Sequence, residues 1–320
     1  MSNPDQALIL ITTLPIDQNP AAVYLASLTS HQSRIVMTSA LRTLTALLTG
    51  RDREEIAFAD VLSLNWSALR YQHAAALRTQ LIDLYSPATA NRLLSALRGT
   101  LKQAWKLGHM SAEDYRRAVD VANIKAETLP AGRELAQGEL LALVGACKQD
   151  KTPAGVRDAA IIGLLYTCGL RRGELATLHV NDFAADTGQL KVKKGKGRKQ
   201  RTVYVTGGAL AALTHWLTLM GRTEGPLFAP ILKSGVIQGS GLGVTAIYKL
   251  LKKRGEEAGV KAFSPHDFRR TFVSDLLDRQ VDIATIASIA GHTSIDTTKR
   301  YDRRPEPTKK QAANKLHFPY

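Results

Sequence analysis

Six residues in the second half of this chain have the types and the order needed to attack a phosphodiester. Arg171 lies in CGLRRGEL, Lys196 in KKGKGRKQR, His266 and Arg269 in SPHDFRRTF, and His292 and Tyr301 in AGHTSIDTTKRY. Arginines can fork paired donors onto phosphate oxygens. Lysine and histidine can move protons. A tyrosine hydroxyl, with a reference pKa of about 10, becomes a covalent nucleophile when neighbours stabilise or remove its proton. Five potential cations around one phosphate would make a metal dispensable, and no carboxylate cluster suited to Mg²⁺ lies beside these motifs. No cofactor and no metal are therefore expected.

Each fragment also has a plainer reading. In SPHDFRRTF, Ser264 caps a helix and Pro265 opens it, so His266 and Arg269, three apart, share a face near an N-terminus that favours anions. A surface His–Arg pair has the same pattern. Gly169 ends a helix just before Arg171, with Arg172 as the competing arginine; Glu174 either orients an arginine or sits on a helical surface. The glycine-containing KKGKGRKQR reads as a hairpin tip that delivers a lysine to phosphate or is simply a solvated basic turn. His292 follows the helix-ending Gly291, where histidines often cap or pack.

The elements that must position these residues fall into two groups. Up to about residue 130 the apolar spacing is helical and strong β alternation is missing. Asn19–Pro20 and Ser86–Pro87 are helix starts, the second leading into a helix through Lys106 that Gly108 stops. Ser111 with Asp114 resembles a capping box. On the 86–106 helix, Arg92, Arg98, Lys102 and Lys106 alternate with Leu93, Leu94, Leu97 and Leu101, predicting leucines inward and cations outward. That basic face is either solvated or set against DNA.

The segment ETLPAGRELAQG, with Pro130 and Gly132, has no period and holds the linker, placed at residues 131–136. Beyond it come helical patterns at 137–148 and 153–168, then the one convincing β signal, QLKVKK and RTVYV joined by the basic turn. Helices resume at 208–220, 244–258, 265–278, 282–290 and 294–301. The fold class is mainly α with a small antiparallel β-sheet, in a helical domain at 1–130 and a second domain at 137–320 that includes the tail.

The chain has 320 residues and a formal charge of +15, of which residues 133–320 carry +13. With a pI near 9.9, this excess points first to nucleic acid. Cys147 and Cys168 fall at apolar helical positions, too few for a disulfide or zinc framework, and read as buried thiols in a reducing compartment. No signal peptide and no apolar run of about 20 residues is found, so a cytoplasmic protein with no membrane partner is expected.

Taken together, the four fragments resemble the tyrosine recombinase (phage integrase) family, whose catalytic domain carries Arg, Lys, His-x-x-Arg, His and Tyr in this order. The likeness runs from about Leu135 to Arg304 and is carried by Arg171, Lys196, His266, Arg269, His292 and Tyr301, including the nine-residue step from His292 to Tyr301. Ala290 stands where the family more often has leucine. The first half fits in kind, as TANRLLSALRGTLKQAW resembles the last long helices of a core-binding (SAM-like) domain.

The resemblance implies a C-shaped clamp on double-stranded DNA at a specific recombination site. It also implies a monomer in solution that becomes a homo-tetramer in the synaptic complex, close to the nucleoid, with room for an accessory DNA-bending or directionality factor. The implied activity is site-specific recombination or integration through a 3′-phosphotyrosyl intermediate, as in mobile genetic elements. A type IB topoisomerase-like relaxing enzyme and a catalytically silent DNA-binding protein are the competing readings. DNA contacts are assigned to Arg92, Arg98, Lys102, Arg172, Lys194, Lys199 and Arg270.

Overall fold

A computed structural model of the chain describes residues 14–125, 132–193, 200–292 and 294–299. They form two compact units, Met1–Leu129 and Pro130–Tyr320. Lys194, Lys196, Lys199 and Tyr301 lie outside the described residues.

The first unit is helical: α1 (Pro20–Ser27), α2 (His31–Thr49), α3 (Phe58–Ser63), α4 (Tyr71–Leu84), α5 (Pro87–Lys106) and α6 (Ala112–Val119). Its starts are made by the expected chemistry. The Asn19 side chain accepts from the N–H groups of Ala21 and Ala22, and Ser111 accepts from Asp114. The long α5 is the centre, with Leu93, Leu94, Leu97 and Leu101 buried on one face. Where α1 crosses α5, residue 99 must be small, because a Cβ there would run into the Tyr24 ring.

The second unit comprises α7 (Gln137–Gln149), α8 (Pro153–Thr167), α9 (Arg172–Leu175), strands β1 (Phe183–Ala184), β2 (Gln189–Val192) and β3 (Arg201–Tyr204), then α10 (Gly207–Met220), α11 (Val244–Glu257), α12 (Pro265–Asp278), α13 (Ile283–Ala290) and α14 (Ile295–Lys299). The three strands form an antiparallel sheet in the order β1-β2-β3, with Leu190 opposite Val203 and Val192 opposite Arg201. Leu190, Val192 and Val203 point into the core, which gathers around α8 through Ile161, Leu164 and Leu165. The mainly helical class with a small antiparallel sheet is thus observed; β1, only two residues long, is an addition to the expected hairpin.

Two features of this unit were not foreseen. Arg254 on α11 is buried and surrounded by carboxylates, at 2.9 Å from Asp158 and 2.8 Å from Glu257, with Asp150 also paired. Residues 132–136, read as linker, pack onto the second unit: Arg133 chelates Glu139 and its N–H donates to Asp267, while the Leu135 N–H donates to Thr271.

Cys147 and Cys168 are both buried. Burial pushes their thiols up, to about 12 and about 11, so neither forms thiolate at neutral pH. Among the described residues no helix is long and apolar enough to cross a membrane.

Candidate active site

The site begins at the end of α8. Gly169 turns the chain at a φ of 56°, a conformation that glycine adopts without strain, and a Cβ there would strike the Phe272 ring. This lets α12 lie close enough for Arg269 to donate to the Gly169 carbonyl at 2.7 Å. Arg269 is 1% exposed. Two residues on, Arg171 is the N-cap of α9 and remains half-open to solvent, its side chain 41% exposed.

Glu174 settles the conformation of Arg171. One carboxylate accepts from the Arg171 N–H at 2.9 Å, from its guanidinium at 2.9 Å, and from both terminal nitrogens of Arg201 at 2.9 and 2.8 Å. Burial raises the Glu174 pKa, but the Arg201 hydrogen bonds, the Arg171 N–H and the two guanidinium charges outweigh it and hold the carboxyl at about 2. Glu174 is therefore an orienting residue, not a surface carboxylate.

Arg201, the first residue of β3, also donates to the Ile289 carbonyl at 2.7 Å, and Arg171 reaches the Gly291 carbonyl at 3.2 Å. Both arginines thus grip the end of α13, where Gly291 turns at a φ of 64° and a Cβ would run into the Arg201 side chain. The next residue, His292, places Nδ1 at 2.8 Å from the Thr298 hydroxyl of α14.

His266 lies in the first turn of α12. The reciprocal half of the expected cap is the one observed, with Asp267 accepting from the Ser264 N–H and hydroxyl. Although the His266 ring is open to solvent, the crowding protein around it, then the charges of Arg269 and Arg270, lower its pKa. His292 is held at about 4, by burial first, then by Arg269, Arg171, His266 and Arg201. Both imidazoles are therefore within the electrostatic reach of Arg171 and Arg269, and both are neutral at pH 7.

Positions assigned to DNA contact divide. Arg92 and Lys102 are exposed on α5. Arg98 is instead committed within its unit, donating to Asn123 and the Val121 carbonyl, because α5 packs along the segment that follows α6. Arg172 lies over the Tyr248 ring, 5.4 Å from its centre. Arg270 is 2% exposed, as buried as its neighbour Arg269, on the face of α12 that lies near Gly132. Arg201 and Thr298 were missed altogether. Nothing in their neighbouring sequence signals them, since their partners lie far away in sequence or behind a turn.

Residues 133–306 match the phage integrase family. The chain belongs to that family. Among phage integrase relatives, tyrosine recombinase XerA of Pyrococcus furiosus is 32% identical over 192 residues, 60% of this chain and 64% of that protein. Tyrosine recombinase XerC of Chromohalobacter salexigens is 38% identical over 155 residues, 48% of this chain and 50% of that protein. The chain thus spans from half to just under two thirds of these two relatives. The structure of the Tn1549 transposon integrase in complex with a circular intermediate DNA matches 95% of this chain and 100% of that one, with a TM-score of 0.67 at 16% identity, a likeness of fold.

Proposed function

We propose that the chain is a site-specific DNA recombinase that cuts and rejoins strands through a 3′-phosphotyrosyl intermediate, without metal or ATP. The observation that carries this reading is the convergence of Arg171, Arg269, His266 and His292, contributed by α9, α12 and the end of α13, on one electropositive site. Tyr301 follows nine residues after His292 in the sequence.

In this mechanism Arg171 and Arg269 hold the nonbridging oxygens of the scissile phosphate, where charge accumulates in the transition state. The Tyr301 oxygen forms a bond to phosphorus as the bond to the 5′-oxygen breaks. His266, neutral at pH 7, is suited to take the tyrosine proton, and Lys196 gives a proton to the leaving 5′-oxygen. His292 hydrogen-bonds the phosphate. The phosphotyrosyl ester conserves the bond energy, so the 5′-hydroxyl of another strand can reverse the step.

The core-binding role of the first unit, the DNA contacts of Arg92, Lys102 and Arg172, and assembly into a tetramer on two sites belong to the same reading. Relatives named tyrosine recombinases support it. Purified protein incubated with nicked DNA from the region flanking its gene should give a covalent protein–DNA adduct that Tyr301→Phe abolishes. An adduct that persists in Tyr301→Phe would remove Tyr301 as the nucleophile.

A further inference from the structure

Thr298 in α14 is fully buried, and among the described residues its hydroxyl has one hydrogen-bond partner, Nδ1 of His292 at 2.8 Å. Two other buried helical threonines behave differently. Thr100 and Thr271 each donate to the carbonyl four residues back, Ala96 at 3.0 Å and Asp267 at 2.8 Å. The Thr298 hydroxyl is turned to the imidazole instead.

The direction of this bond follows from counting hydrogens. If Nδ1 carried the proton, it would donate to Oγ1, and the threonine hydrogen would be buried with no acceptor among the described residues. A buried donor left without an acceptor is costly, whereas an O–H donating to an unprotonated ring nitrogen satisfies both groups. The surroundings exclude the third possibility, an imidazolium. Arg269 and His266 on α12, Arg171 at the start of α9 and Arg201 on β3 all oppose a positive charge on His292. A neutral imidazole donates through one nitrogen only, so the tautomer decides whether it serves an anion.

We propose that Thr298 is a positioning residue: its hydroxyl donates to Nδ1 of His292 and holds the ring in the tautomer with hydrogen on Nε2, a neutral donor for a phosphate oxygen. This rests on the phosphodiester reading for its purpose, though not for its geometry. It also gives the short helix α14 a task, tying the histidine that precedes it to the segment that leads to Tyr301.

The test uses the full chain labelled with ¹⁵N-histidine, with the His292 signals identified by their loss in His292→Gln. At pH 7 the wild type should show a protonated Nε2 and an unprotonated Nδ1. Thr298→Ser, which keeps the hydroxyl, should retain that pattern. Thr298→Val, which keeps the shape, should give mixed tautomers and bind inorganic sulfate about fivefold more weakly, as expected for one misdirected hydrogen bond. A wild-type His292 protonated on Nδ1 overturns the proposal, as does a Thr298→Val protein with unchanged tautomer and sulfate affinity. If the valine variant does not fold, Thr298→Ala takes its place with the same two readouts and the same outcomes. None of these readouts needs DNA, so a failure of Tyr301 to form an adduct would defeat the recombinase reading without deciding this one.

Discussion

Glu174 shows what a single residue contributes to this site. Its carboxyl, held at about 2, is ionised in the fold well below the ordinary carboxylate range. A folded pKa below the unfolded one adds stability above about pH 4.5 that is lost as pH falls towards 2. Glu174→Gln should lose this acid-sensitive component, seen as a flatter melting temperature between those pH values. Glu174→Ala, which leaves the buried Arg201 without its carboxylate, should destabilise by about 3–5 kcal/mol. The histidines have the opposite charge but the same sign of slope. His292 at about 4 and His266 below its usual value stay neutral while the unfolded chain takes up protons below about 6.5. Stability should therefore fall between pH 6.5 and 4, and sulfate should bind more tightly over that interval as it restores the imidazolium. Calorimetry should register proton uptake on binding; proton release would contradict the proposed meeting of both rings with an anion. Arg171, His266, Arg269 and His292 were legible in the sequence because short motifs with fixed spacing carry them. Arg201 was not, since its meaning comes from a carboxylate 27 residues away and a carbonyl 88 residues away.

At the scale of elements, legibility followed local chemistry. Asn19–Pro20, Ser86–Pro87 and Ser264–Pro265 announce helices because a fixed proline φ acts within one turn, joined at the first by the Asn19 side-chain cap. The hairpin was visible from alternation, whereas β1 is too short to show any. Crossings of helices are a different matter, decided by residues without a pattern. Gly99 is one: substitution by alanine should push α1 from α5 and cost about 1–3 kcal/mol in urea denaturation of the full chain. Arg254 is another. An arginine on an amphipathic helix reads as surface, but here α11 turns it onto Asp158 of α8 and Asp150 after α7. Arg254→Met should leave Asp158 with Arg157 alone, strip Asp150 and Glu257 of their shared cation, and destabilise by about 3–5 kcal/mol.

For the whole molecule, the uneven charge is the property most open to measurement. Residues 133–320 carry +13 of the net +15, and the first unit adds an exposed pair, Arg92 and Lys102, on α5. If both meet DNA phosphates, the plot of log affinity against log salt should lose about 0.9 in slope for each cation removed. Arg92→Ala with Lys102→Ala should therefore flatten it by roughly 2, while Arg98→Ala should act mainly on the folding of the first unit. An unchanged slope in the double variant would take α5 out of the interface. The two-unit organisation has a compositional trace in the sequence, the change from a near-neutral to a basic half. The attachment of residues 132–136 to the second unit has none, because Arg133 and Leu135 find their partners only after α12 is in place.

The two shielded cysteines carry a practical consequence. With thiols at about 12 and about 11, Cys147 and Cys168 are nearly all protonated at pH 7 and have little reactivity towards electrophiles. A maleimide dye should therefore attach to one engineered surface cysteine in an otherwise native background, for example at Lys102. Fluorescence from that position would follow encounter with DNA in real time, with no need to strip the native sulfur from the core.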